Sequence, residues 1–167
     1  MTPKLLLRLG SIPAIVAGLL RIGSSFLGYS EPTPARELLY LAIDLCVVFG
    51  LLAVYFYQFV ELGKPGMIGF VVALSGAAII VGPDGAIGSV PMYPLGSALL
   101  LLGLSLIAIV GWRAALIPRY ALASWLLSLF FGLGTTVPGA PSVLLVLAGL
   151  AFGLGFLGAG LKIWASS

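Results

Sequence analysis

The placement of a few charged side chains constrains this chain more than any other feature. Of 167 residues, eight are basic and five are acidic, and almost all of them fall at breaks between long apolar runs. A water-soluble domain covers its surface with polar groups, and about a quarter of its residues are charged. Here only 8% are charged and 61% are hydrophobic. The sequence therefore predicts a protein whose surface faces lipid.

The apolar runs are long enough for membrane-spanning helices, each of which needs about 20 mostly apolar residues. Breaks rich in Gly and Pro, such as Gly63-Lys64-Pro65-Gly66, separate them. The prediction is an all-α, polytopic transmembrane helical bundle that forms a single domain over residues 1–167. Its six spans are predicted at about residues 5–28, 36–60, 67–81, 94–112, 116–134 and 143–163.

The basic residues predict the orientation of these spans. When the breaks are numbered alternately, one side of the membrane receives Arg36 alone. The other side receives Lys4, Arg8, Lys64, Arg113, Arg119 and Lys162. Because short loops rich in Lys and Arg stay in the cytoplasm, both termini are predicted to be cytoplasmic. The opposite face is then acidic, with Glu31, Glu37 and Asp84.

Two charges lie inside the predicted spans. At about 1.5 Å per residue, Arg21 falls about 7 Å outward of the bilayer centre and Asp44 about 6 Å outward. An isolated charge at that depth costs about 2.5–3.5 kcal/mol on insertion scales. We therefore expect an Arg21–Asp44 ion pair facing the bundle interior. It would either fix the register of two helices or line a binding or permeation site. In a third reading, Arg21 extends to the outer headgroups.

Polar side chains near this pair would extend such a site toward the outer face as a vestibule. The candidates are Ser24, Ser25, Tyr40, Glu37 and Asp84. Nearer the inner face, Tyr55, Tyr57 and Gln58 are interpreted as residues of the membrane–water interface, with the exit of a pathway as the alternative.

Small residues recur at four-residue spacing on several spans, and such faces let helices approach closely in lipid. On the sixth span they are Gly149, Gly153, Gly155 and Ala159. They predict either packing within the chain or contact with a partner, in a homo-oligomer or a larger membrane complex. Membrane lipid is a further expected partner. Nucleic acid is not, because the basic residues are scattered.

Several catalytic chemistries lack their side chains. The chain has no histidine, which excludes Ser-His and Cys-His catalysis and histidine-ligated haem. Its one cysteine, Cys46, cannot hold an iron–sulfur cluster. The sequence therefore predicts a protein that is not an enzyme and that carries no cofactor and no metal.

Three stretches resemble a loose group of small, uncharacterised bacterial membrane proteins with about six spans. They are residues 51–82, 103–134 and 147–164, and the most recognisable part is the Arg-x-x-x-Ile-Pro-Arg-Tyr junction from Arg113 to Tyr120. The resemblance implies a bacterial cytoplasmic membrane and six helices. It implies no activity and no functional residues.

Three functions remain open on these observations. The first is a non-enzymatic accessory or structural subunit of the bacterial cytoplasmic membrane. The second is a transporter or channel for a small solute or ion, with Arg21 and Asp44 lining the site. The third is a binder of lipid or another hydrophobic ligand. The sequence does not identify a substrate, a partner or an oligomeric state.

Overall fold

A computed structural model describes residues 3–27, 33–82, 86–87 and 89–167. Within these ranges the fold is helical apart from one short hairpin. The helices are α1 (Pro3–Ser24), α2 (Pro34–Val81), α3 (Met92–Ala114), α4 (Arg119–Gly134) and α5 (Val143–Ser166). Strands β1 (Ala86–Ile87) and β2 (Val90–Pro91) pair antiparallel between α2 and α3. The sequence had indicated no strand in that connection.

Four of these helices are long and apolar enough to cross a membrane, namely α1 from Lys4 onward, α2, α3 and α5. The fourth helix, α4, has 16 residues. At about 1.5 Å per residue it is shorter than a hydrocarbon core of roughly 30 Å. The predicted helical bundle with long apolar segments is confirmed. The count of six spans and their orientation stay predictions.

Helix α2 is interrupted at Gly63, whose φ of 54° and ψ of −155° are not helical. On its two sides, Tyr55 and Phe70 stack with ring centroids 4.1 Å apart. Residues that far apart in sequence would be about 22 Å apart along a continuous helix. The chain therefore folds back at Gly63. Residues 34–62 form a first arm of α2, and residues 64–81 form a second arm.

The helices pack in a closed order around a shared apolar core. Helix α1 lies between α2 and α5, α4 lies between α5 and α3, and α3 packs against α2. The largest fully buried side chains include Trp125 and Phe156, whose rings meet edge to face at 5.5 Å. Large apolar side chains also cover the outside, among them Val60 and Phe130, which are 74% and 71% exposed. Both the interior and much of the surface are therefore apolar.

Small residues bring the backbones of neighbouring helices into contact. A methyl group placed on Gly96 of α3 would lie 2.9 Å from the carbonyl oxygen of Gly76 in the second arm. One placed on Gly50 of the first arm would lie 2.8 Å from the Cα of Ala14 in α1. Such contacts supply the van der Waals attraction that holds helices together in lipid. The small-residue faces of this chain are used between its own helices.

Helix contacts place the basic residues of the breaks at one end of the bundle. The Arg8 guanidinium of α1 lies 4.3 Å from the ring centre of Trp164 in α5. The first arm runs antiparallel to α1, since Gly10 contacts Ala53 and Gly50 contacts Ala14. The beginning of α1, the end of α5 and the turn at Gly63 therefore share an end. We call it the basic end, and it carries Lys4, Arg8, Lys64, Arg113, Arg119 and Lys162.

Candidate functional site

The packing of α1 against the first arm brings Arg21 and Asp44 to the same level. Ala14 lies beside Gly50, and from this contact Arg21 is seven residues further along α1 while Asp44 is six residues back along the first arm. At about 1.5 Å per residue these steps are about 10 Å and about 9 Å in the same direction. The two opposite charges therefore occupy one level of the bundle, toward the end opposite the basic end.

Arg21 and Asp44 are both half-buried. Within residues 3–27 and 33–82, no nitrogen–oxygen contact within 4.0 Å joins them. The structure therefore places the two groups at one level without direct contact. The direct ion pair stays a prediction.

The Arg21 side chain lies against α5 at Gly149. A methyl group placed on Gly149 would lie 3.6 Å from Arg21 Nε and would collide with Ser25 Oγ. Any larger residue at this position would fill the space that the arginine and the serine use. Gly149, predicted as part of a packing face, thus forms one wall of the polar cluster around Arg21. This role could not be predicted from the sequence, because it depends on which face of α5 packs against α1.

The two candidate serines complete the end of α1. Ser24 Oγ donates a hydrogen bond to the Arg21 carbonyl oxygen at 3.0 Å, and Ser25 Oγ donates to the same oxygen at 2.8 Å. The Ser25 amide donates there as well, at 3.1 Å. The last carbonyl groups of a helix have no partner within it, so these bonds satisfy one of them. The hydroxyl oxygens keep lone pairs that can accept from a ligand.

The remaining vestibule candidates are spread along and beyond the first arm. Tyr40 is half-buried and packs against the apolar core. Glu37 is exposed in the first turn of α2, where a carboxylate interacts favourably with the helix dipole. Asp84 lies outside the described residues. The structure therefore gathers Arg21, Ser24 and Ser25 with Asp44 at their level, and leaves Glu37 at the surface.

This cluster offers one cation and one carboxylate that do not neutralise each other by direct contact, together with two hydroxyl groups. That set can hold a small polar or charged group by charge and hydrogen bonding. Among the residues that the structure describes, no three His, Cys, Asp or Glu side chains are grouped to bind a metal.

Gln58 is a polar residue that the sequence interpretation placed wrongly. Instead of facing the membrane–water interface, it is 1% exposed. Its Nε2 donates to the Val54 carbonyl oxygen at 3.3 Å, whereas its Oε1 has no partner. A methyl group on Gly111 would lie 3.1 Å from that Oε1. The glycine of α3 makes room for the amide. Within the part of the chain that the structure describes, Ser105 Oγ and Trp125 Nε1 are likewise buried and have no partner.

The four small residues predicted for a packing face of the sixth span are all buried within the chain. Gly153 contacts Gly18 and Ile22 of α1, and Gly155 contacts Trp125 of α4. Gly149 and Ala159 are buried as well. Helix α5 therefore presents small residues to a neighbour on each side. Contact of these residues with another protein stays untested.

The chain matches no protein-family model, and no curated protein or solved structure is detectably similar to it.

Proposed function

We propose that this protein is a non-enzymatic, multi-pass integral membrane protein that serves as a small accessory or structural subunit. The proposal places it in the bacterial cytoplasmic membrane with six spans and both termini inside. The fold-back at Gly63 divides α2 into two antiparallel arms, so that α1, the two arms, α3 and α5 supply five of the six proposed spans. The short helix α4 would supply the sixth. The gathering of basic side chains at one end supports the orientation.

The observation that carries this proposal is the backbone-to-backbone packing between neighbouring helices. Gly50 meets Ala14 between α1 and α2, Gly96 meets Gly76 between α2 and α3, and Gly153 meets Gly18 between α1 and α5. Such contacts leave little freedom for helices to move apart. A rigid bundle with an apolar outer surface is suited to packing as a structural subunit in a larger membrane assembly. No side chain in it belongs to a histidine-based catalytic set.

Purification in a mild, lipid-preserving medium tests the proposal. We expect the protein to elute with a partner protein or as a defined homo-oligomer, at a mass well above its own 17.2 kDa. Cross-linking in intact membranes before extraction should give the same assembly. A monomer in both experiments would overturn the proposal.

A second function is favoured by the polar cluster formed by Arg21, Ser24 and Ser25 with Asp44 at their level. Two opposite charges that lie at one level without direct contact can bind a small ion or polar solute between them. Transport proteins commonly place such groups within their spans. Under this proposal Arg21 and Asp44 line the site, and Ser24 and Ser25 extend it.

Flux into liposomes separates the two functions. We expect transport by the wild type to fall to background in Arg21→Gln and in Asp44→Asn, while Glu37→Gln at the surface keeps it. Equal flux in all variants, or no flux by the wild type across a panel of ions and small solutes, would remove the transport function. The test for co-purifying partners is unaffected by either result.

A further inference from the structure

A groove at the basic end combines an apolar floor with a charged rim. It has a volume of about 540 Å³ and is lined by Pro65 of the second arm, Leu126 of α4, and Ile109, Val110, Trp112 and Arg113 of α3. Ile109 and Trp112 are 58% and 40% exposed, so the groove is open to the surroundings.

The one charged side chain in the described lining of this groove is basic. Arg113 lines it directly, and Lys64 precedes Pro65 in the chain. Arg119 lies seven residues, or about two helical turns, before Leu126 on α4 and thus on a similar face. Glu61 is the described carboxylate at this end, and it does not line the groove.

A second groove on the same molecule provides the contrast. It has about 580 Å³ and lies between α1 and the first arm. Its lining is apolar throughout, with Phe49, Phe56 and Phe59 among its residues. An acyl chain fits either groove by its chemistry, but of the two linings only that of the groove at Arg113 includes a cation.

We propose that the groove at Arg113 binds one anionic phospholipid. An acyl chain lies along Ile109, Val110 and Leu126, and the phosphate pairs with the Arg113 guanidinium. Trp112 provides an indole at headgroup depth, where this side chain is commonly found. Arginine binds phosphate oxygens through two parallel N–H donors. A zwitterionic headgroup carries the same phosphate together with an ammonium group, which Arg113 repels, so the preference is for a headgroup with a net negative charge. Basic pockets between helices on the cytoplasmic side are typical sites for anionic headgroups.

This inference rests on the proposed insertion of the chain in a membrane. It adds the chemical class of a lipid and the place where that lipid binds. If the membrane proposal fails, the protein will be absent from the membrane fraction. If only the lipid site fails, the protein will be in the membrane without a preference among lipids.

Native mass spectrometry from mixed micelles tests the site. The protein is equilibrated with equal amounts of phosphatidylglycerol and phosphatidylethanolamine that carry the same acyl chains. We expect one phosphatidylglycerol to be retained in preference to phosphatidylethanolamine. Arg113→Gln should reduce that preference about fivefold, which is the effect of removing one basic contact to an anionic lipid.

Two further variants make the result specific. Lys162→Gln removes the same charge at the same end but on α5, away from the groove, and should keep the wild-type preference. Ile109→Trp fills the groove without changing the charge and should lower retention of phosphatidylglycerol. Matching helical circular dichroism and monodisperse elution show that each variant is folded.

Three results would overturn the proposal. Equal retention of both lipids by the wild type shows a groove that takes acyl chains without regard to charge. An equal loss in Lys162→Gln and Arg113→Gln shows diffuse attraction to the whole basic end. A lipid-free dimer that Ile109→Trp dissociates assigns the groove to a second copy of the chain.

Discussion

Gly18 of α1 and Gly153 of α5 each occupy the place where the other could carry a side chain. A methyl group on Gly18 would lie 2.7 Å from the Gly153 carbonyl oxygen, and one on Gly153 would lie 2.7 Å from the Gly18 carbonyl oxygen. The obstacle on both sides is backbone, which cannot move aside as a flexible side chain can. The spacing of α1 and α5 therefore depends on glycine at both positions.

Substitution at this contact should loosen the bundle. We expect Gly18→Ala and Gly153→Ala each to lower the free energy of unfolding by roughly 1–3 kcal/mol, because overpacking forces the backbones apart. Unfolding by SDS in mixed micelles measures the change. Gly23→Ala on the same helix is the matched control, since a methyl group there has no atom of the described residues within 4 Å. Equal stability of all three variants would contradict the importance of this contact.

Gly63 should be required for the fold-back of α2. Its φ of 54° with ψ of −155° lies in a region that glycine alone adopts readily. We expect Gly63→Ala to lower the free energy of unfolding by about 1–3 kcal/mol, the usual cost of such strain. The same SDS titration reports it.

A helical glycine serves as the control for Gly63. In Gly132→Ala the new methyl group meets only the flexible end of Leu101, so the loss should be smaller. A stability of Gly63→Ala equal to that of the wild type would show that the turn tolerates a side chain.

Two buried serines should respond differently to loss of the hydroxyl group. Ser128 Oγ donates to the Ala148 carbonyl oxygen at 2.9 Å and so links α4 to α5, whereas Ser105 Oγ has no partner among the described residues. We expect Ser128→Ala to cost roughly 0.5–1.5 kcal/mol, the net value of a hydrogen bond. Ser105→Ala should leave the free energy of unfolding unchanged or raise it. If Ser105→Ala costs as much as Ser128→Ala, the Ser105 hydroxyl has a partner.

Much of this fold could be predicted because long apolar runs separated by Gly- and Pro-rich breaks restrict the structures that a chain can form. The apolar runs indicated the helices, and Gly63-Lys64-Pro65-Gly66 indicated the turn that divides α2. The rotation of each helix could not be predicted in the same way. A helix that faces lipid is apolar on all sides, so no periodic contrast distinguishes its buried face. Phe130 is 71% exposed and Phe156 is fully buried, although both are phenylalanines within apolar helices.

In the candidate site, too, some relations could be predicted from the sequence and others could not. The depth of Arg21 and Asp44 follows from their positions along two helices, and the contact between Ala14 and Gly50 gives them a common level. The wall at Gly149 depends on the orientation of α5 about its own axis. The burial of Gln58 beside Gly111 depends on the orientations of the first arm of α2 and of α3. These relations appear only once the helices are packed together.

Arg21 and Asp44 should be energetically coupled. We expect the double variant Arg21→Gln/Asp44→Asn to be more stable than the sum of the single losses implies, by roughly 0.5–3 kcal/mol. Each single change leaves the other charge without its neighbour, whereas the double change removes both. Free energies of unfolding for the four proteins complete the cycle.

A second cycle controls for general effects of charge. It pairs Arg21→Gln with Glu37→Gln. The second change removes an exposed carboxylate from the first arm of α2, which also carries Asp44. These losses should add within about 0.5 kcal/mol. Additivity in both cycles would show that Arg21 and Asp44 act independently.

The orientation of the bundle is tested most directly by labelling single cysteines with a membrane-impermeant thiol reagent. In a Cys46→Ser background, Lys64→Cys and Ser167→Cys report the basic end, and Val137→Cys, at an exposed position, reports the connection between α4 and α5. In inside-out vesicles we predict labelling at positions 64 and 167 but not at 137, and in right-side-out vesicles the reverse. Labelling of positions 64 and 137 from the same side would contradict the proposed topology.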